Sequence, residues 1–161
     1  MAAGLRVKHL RPEVVQQHLD RAETLCAQHG ARLTPLRRRV LELVVQAGKP
    51  VGAYDILDRL RAEGMGSAPP TVYRALEFLQ EQGLVHRVAT ANAFVACNQP
   101  GPRHYGVILI CSRCGTALEV HDEDIDHGIE AAARSRGFEV ETRPIEVSGL
   151  CAACREGSTG A

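Results

Sequence analysis

The sequence predicts an α+β fold in two parts, an N-terminal winged helix-turn-helix domain and a small C-terminal α/β domain. Three observations predict it. Four amphipathic segments with helical spacing fill residues 12–83, and two short β-rich runs joined by a turn follow them. A stretch with two prolines and a glycine then separates this block from a second one, in which strands and one acidic-fronted helix are arranged around two Cys-x-x-Cys pairs. The 161 residues are 45% hydrophobic and 24% charged, which excludes wholesale disorder and allows one good core or two small ones.

The first helix is expected from Pro12 to Gln28, where Val14, Val15, Leu19, Ala22, Leu25 and Cys26 recur with helical period and Gly30 follows. Thr34-Pro35 starts a second helix, a capping hydroxyl followed by a proline whose missing donor is harmless in the first turn, and this helix runs to about Gly48. After Lys49-Pro50, Ala53 to about Glu63 places Ile56, Leu57 and Leu60 on one face. Pro69-Pro70-Thr71 opens a fourth helix that ends at Gly83. Leu84–Ala89 and Ala93–Cys97, separated by Thr90-Ala91-Asn92, read as a hairpin. Strands are expected at about 106–111 and 116–120, a helix at about 122–136 and a strand at about 138–147. The domains are therefore placed at 1–97 and 106–154, with 98–105 as hinge and 155–161 as a frayed, disordered tail.

Nineteen basic and nineteen acidic residues cancel, so no global field attracts a polyanion. The halves differ, however. Residues 1–100 hold 13 basic and 9 acidic groups, net +4, and residues 101–161 hold 6 and 10, net −4, which assigns any polyanion to the N-terminal part. No apolar run approaches the ~18 residues of a membrane span, and the first residues lack the apolar core of a secretory signal. A cytoplasmic protein is expected, in a reducing compartment where paired cysteines are metal ligands or redox groups rather than disulfides.

Cys111-Ser-Arg-Cys114 and Cys151-Ala-Ala-Cys154 can together present four thiolates to one ion. One such pair would admit a thioredoxin-type redox reading; two copies favour a closed tetrahedral zinc site that leaves no open position and folds the second domain. A deaminase-like enzyme reading, built on His121, Glu123, Cys151 and Cys154, matches poorly: Leu150 stands where that signature has proline, and Cys111 and Cys114 would be stranded.

With this quartet, Arg32-Leu-Thr-Pro-Leu-Arg37, Ala53-Tyr-Asp55 and Pro69-Pro-Thr-Val-Tyr-Arg-Ala-Leu76, the chain resembles the ferric uptake regulator family of bacterial metal-dependent repressors, and within it the zinc-regulating members. The resemblance covers roughly residues 12–154. It implies a homodimer with an N-terminal DNA-binding domain and a C-terminal dimerisation domain, which binds double-stranded operator DNA when loaded with zinc and represses zinc-acquisition genes. No catalysis, small-molecule substrate or membrane is implied.

On the fourth helix Val72, Leu76 and Leu79 are the core face, so Thr71, Tyr73 and Arg74 are free to project outward. Arginine can hold guanine O6 and N7 with two hydrogen bonds, while threonine and tyrosine reach phosphates or a thymine methyl. Tyr54 and Arg37, with Arg38 and Arg39 beside it, are supporting candidates for the phosphate backbone. A solvated helix face is the alternative for the arginine run, and a core aromatic at a domain seam for Tyr73.

The resemblance also implies a regulatory zinc site at His86, Cys97, His104 and Glu119, giving two zinc ions per subunit. Two imidazoles, a thiolate and a carboxylate suit tetrahedral zinc, although each residue alone has a plain structural reading. Iron- and peroxide-sensing members commonly carry a histidine-rich run before the first Cys-x-x-Cys, whereas this chain has only His104-Tyr105-Gly106 there, which favours zinc. A third site using His121 and His127 is not assigned. Cys26 belongs to the core face of the first helix.

Overall fold

Helix α1 (Pro12–Gln28) takes its start from Pro12 in the first turn and buries Val15, Leu19, Ala22 and Cys26, one stripe at helical spacing. The computed structural model describes residues 11–65, 68–100, 106–141 and 144–157. The chain divides into two compact units, Met1–Pro100 and Gly101–Ala161.

In the first unit α2 (Pro35–Ala47) is capped by Thr34, whose side chain accepts from the Arg37 N–H at 3.4 Å, and ends on Gly48 at φ 59°, a left-handed conformation that an L side chain adopts only with strain. Helix α3 (Ala53–Ala62) follows Gly52, whose N–H donates to the Asp55 carboxylate at 3.3 Å. Helix α4 (Pro69–Glu81) buries Val72, Ala75, Leu76 and Leu79. Strands β1 (Val85–Val88) and β2 (Ala93–Ala96) form an antiparallel hairpin with Val85 opposite Ala96 and Val88 opposite Ala93. Asn92 in the turn has φ 46°, and its side chain accepts from Arg87 at 3.0 Å. Val51 exchanges two backbone hydrogen bonds with Phe94 (3.0 and 2.9 Å), so the hairpin is stitched to the segment before α3. One hydrophobic cluster from Val15 to Phe94 joins all these elements. Each fully buried leucine in it contributes roughly 1.5–3 kcal/mol relative to exposure. This is a winged helix-turn-helix.

In the second unit β3 (Val107–Cys111) is central, antiparallel to β4 (Ala117–Val120) and parallel to β5 (Ile145–Gly149). Helix α5 (Glu123–Arg134) is capped by Asp122, whose carboxylate accepts from the Asp124 and Ile125 N–H groups, and α6 (Ala152–Glu156) closes the described region. Two expectations need correction. The last strand begins at Ile145 rather than near 138: Gly137 (φ 72°) turns the chain after α5, and residues 138–141 are irregular because only 145–149 lie along β3. The β-rich composition of Phe138 to Val140 therefore lacks a partner strand to act on, and Phe138 is 73% exposed. The stretch 155–161, expected to be frayed, begins inside α6; residues 158–161 lie outside the described region.

Leu118, Leu109 and Val147 stand opposite one another across β4, β3 and β5 and so share one face, yet each is about two-fifths exposed. Helix α5 buries no residue. No helix among the described residues is long and apolar enough to cross a membrane.

Candidate metal centre and nucleic-acid interface

The turn after β3 presents Cys111 and Cys114, and the start of α6 presents Cys151 and Cys154. The Cys111 carbonyl accepts from the Gly115 N–H at 2.9 Å, which curls the first pair. The two pairs are fastened together by hydrogen bonds from the Ser112 N–H and hydroxyl to the Gly149 carbonyl (2.9 and 3.2 Å) and from Arg113 Nη1 to the Cys154 carbonyl (2.6 Å). All four sulfurs lie within 4.8 Å of one another, and the cysteines are free thiols. Cys114 Sγ and Cys151 Sγ are 3.7 Å apart. A tetrahedron with ~2.3 Å metal–sulfur bonds has sulfur–sulfur edges of about 3.8 Å, and the Cys114–Cys151 pair stands at that length.

The electrostatics of the quartet ask for a cation. The backbone N–H of Cys151, 3.4 Å from Cys111 Sγ, and then that of Cys114 hold the Cys111 thiol down at about 6. The Thr116 hydroxyl, 3.2 Å from Cys114 Sγ, lowers Cys114 as well. Cys154 is pushed up to about 12, first by its hydrogen bond with Cys151, then by burial and its other sulfur neighbours. One thiolate therefore forms near neutrality, while the last proton stays unless a divalent ion neutralises the cluster. The sequence alone assigned no role to Ser112, Arg113 and Thr116. The polar pair between two ligand cysteines was the available signal that the turn is held by side chains.

Of the second predicted set, His86 on β1 and Cys97 just after β2 come together, their ligand atoms within 4.8 Å of one another. The hairpin does this: His86 stands opposite Val95, and the Cys97 N–H bonds back to the Leu84 carbonyl at 2.9 Å. Cys97 is 1% exposed. Glu119 lies on β4 in the second unit, 3.4 Å from His121 Nε2. His104 lies outside the described residues. His121 thus stands beside a carboxylate, and the four thiols group with each other, an arrangement unlike the one the deaminase reading needs.

On the opposite surface of α4 from its core face, Thr71 and Arg74 are exposed and Tyr73 is 38% exposed. Tyr54, in the first turn of α3, is 63% exposed. The arginine run on α2 is otherwise engaged. Arg38 pairs with Glu23 at 2.8 Å, and Arg39 bridges Glu42 and Glu63, joining α2 to the end of α3. Arg37 is half-buried: its guanidinium lies 3.6 Å above the centre of the Phe78 ring, and Nη1 donates to the Arg32 carbonyl at 2.8 Å.

Residues 28–148 match the family described as the ferric uptake regulator family. The chain is 44% identical to the zinc uptake regulation protein of Escherichia coli over 142 residues, 88% of this chain and 83% of that one. It is 31% identical to the peroxide operon regulator of Bacillus subtilis over 132 residues, 82% of this chain and 89% of that one. Among solved structures it is similar to a zinc uptake regulator complexed with zinc and DNA, with 43% identity, a TM-score of 0.83 and coverage of 89% of this chain and 97% of the other.

Proposed function

Because this chain belongs to the ferric uptake regulator family, we propose that it is a zinc-responsive transcriptional repressor that binds operator DNA as a homodimer and turns off zinc-uptake genes. The observation that carries this reading is the exposure of Thr71, Tyr73 and Arg74 on α4, back to back with a fully buried Val72 and Leu76, in a chain that also groups four thiols within 4.8 Å of one another. Greater identity to a relative named for zinc uptake than to one named for peroxide favours zinc as the signal.

In this reading Arg74 contacts base edges in the major groove, Thr71 and Tyr73 flank it, and Tyr54 reaches the phosphate backbone from α3. Cys111, Cys114, Cys151 and Cys154 hold a structural zinc. His86, Cys97, His104 and Glu119 hold a regulatory one, with His86 and Cys97 supplied by the N-terminal unit and Glu119 by the C-terminal one. Bound zinc supplies a cross-link of that kind without chemistry of its own. The residues do the rest: donors drawn from both units restrict the hinge, and DNA half-sites about one helical turn apart accept only one separation of two α4 helices. Ordering the hinge beforehand removes an entropic cost from binding, a coupling of ~1–3 kcal/mol that also makes DNA tighten zinc.

The homodimer rests on the apolar row Leu118, Leu109 and Val147 and on α5, which has an acidic first turn, an exposed Ile125 and no fully buried residue within one chain. A second copy of the chain is the natural cover for such surface in a dimerising family. The site of action is the reducing cytoplasm, where four free thiols persist.

The test is a titration of zinc into the metal-stripped protein with a labelled duplex selected by the zinc-loaded protein from a random pool. Binding should appear with zinc, disappear with chelator and weaken steeply with salt. Equal binding in stripped and loaded protein would overturn the reading. Iron and manganese in parallel decide the metal.

A further inference from the structure

Arg37 carries the same charge as its neighbours, but its surroundings differ. Arg38 and Arg39 meet carboxylates, whereas Arg37 lies over an aromatic ring and gives a hydrogen bond to a main-chain carbonyl. The ring belongs to Phe78, which sits one helical turn after Arg74 on α4, the i and i+4 positions that share a face. The carbonyl belongs to Arg32, in the loop between α1 and α2. A single guanidinium thus joins three pieces of the first unit: that loop, α2 which carries it, and the flank of α4 directly below Arg74.

We infer that Arg37 is a positioning residue for DNA recognition: by stacking on Phe78 while bonded to the Arg32 carbonyl, it sets the roll of α4 and thereby the aim of Arg74, and it does not itself hold a phosphate. This deepens the DNA-binding reading and rests on it. The chemistry favours arginine at this place. Its planar face covers the ring through the cation–π attraction, and its edge still has donors in the plane for the carbonyl. A lysine ammonium is a point charge and cannot do both in that geometry. A guanidinium committed on its face and along one edge is also poorly free to follow a phosphate.

The two roles separate in a salt titration. A lysine or arginine that neutralises one phosphate adds about 0.9 to the slope of log affinity against log salt, whereas a residue that only aims another adds nothing. The experiment uses the full-length, zinc-loaded chain and a duplex selected by it from a random pool, with Arg37→Met, Arg37→Lys, Phe78→Leu and the double variant Arg37→Met/Phe78→Leu. Each is checked for zinc content and thermal unfolding. Arg37→Met is expected to lose affinity on the order of tenfold with the salt slope unchanged, since a stacked pair and a charge-assisted hydrogen bond are removed together. Arg37→Lys should not rescue it, and the double variant should be no weaker than the worse single one, because both changes break the same contact. A slope reduced by about 0.9 with rescue by lysine would make Arg37 a phosphate contact and overturn the inference, as would additive losses in the double variant. If Arg37→Met does not fold, Phe78→Leu and Arg37→Lys still decide the matter through affinity: a loss in both supports the positioning role, and unaltered affinity in either overturns it. An unaltered chain that binds no duplex at any zinc level defeats the DNA-binding reading and this inference together, an outcome distinct from all the others.

Discussion

In the first unit Leu19, Leu41, Ile56, Leu60, Leu76 and Leu79 are each at most 2% exposed, whereas among the described hydrophobic residues of the second unit only Val107, Ile108 and Cys111 are buried. Helices α1–α4 and the wing hold together by excluding water from one another. The second unit has a three-stranded sheet with an exposed apolar row and a helix that buries none of its residues. A domain of that size with so little core needs staples, and in the proposed reading zinc at the thiol quartet and a second copy of the chain are those staples. On the proposed reading, the unit that faces DNA draws its stability from its own core, and the unit that pairs the chains draws it from metal and partner.

The contrast is most open to attack at the quartet. Cys111→Ser, or chelation, should strip amide-exchange protection from β3, β4 and β5 while α2 and α4 remain protected, because structural zinc contributes on the order of 10 kcal/mol to small domains. Equal loss in both units, read by hydrogen exchange, would erase the distinction. Leu76→Ala is the converse: it should destabilise the first unit by about 2–5 kcal/mol in urea unfolding and leave zinc at the cysteines unchanged. Loss of that zinc would mean the units do not stand apart.

Function gives smaller effects. Arg74→Ala should lose ~1–3 kcal/mol, affinity and sequence preference together; a loss uniform over all duplexes would move Arg74 to the phosphates. Cys97→Ser should remove the zinc response, at most about 3 kcal/mol, with dimer content and melting unchanged, and a retained response would dismiss Cys97 as a ligand. The smallest effect concerns pH. Burial, with the Arg21 charge adding to it, holds His18 below its ordinary 6.5. The unfolded chain then binds the proton more readily, so stability is full above about pH 6.5 and declines as pH falls through it toward the lower folded value. His18→Gln should flatten that part of the stability curve, and an identical curve in both proteins would show that His18 contributes nothing.

The two proposed metal sets show how far residues alone reach. The cysteine quartet was legible because its spacing is local: two residues between ligands suffice to curl each pair, and only the joining of the pairs is long-range. His86 and Cys97 were legible through family resemblance rather than pattern, since nothing in their spacing marks a site until the hairpin register folds one toward the other. The arginine run shows the opposite limit. Three adjacent cations read alike in sequence, yet Glu23 engages one, Glu42 and Glu63 another, and an aromatic ring the third.

What the chain dictates by itself is every element whose cause is within a few residues: the Thr34-Pro35 and Pro69-Pro70 helix starts, the apolar stripes of α1–α4, the wing turn and the two turns that carry the cysteine pairs. Tertiary structure decided the rest. Residues 138–141 have strand composition but stay irregular, because a strand exists only where a neighbour accepts its hydrogen bonds, and that neighbour, β3, is about thirty residues away along the chain. The partner of Arg37 was equally out of reach, because which side chain a guanidinium meets depends on how α2 and α4 cross, and no local pattern encodes a crossing.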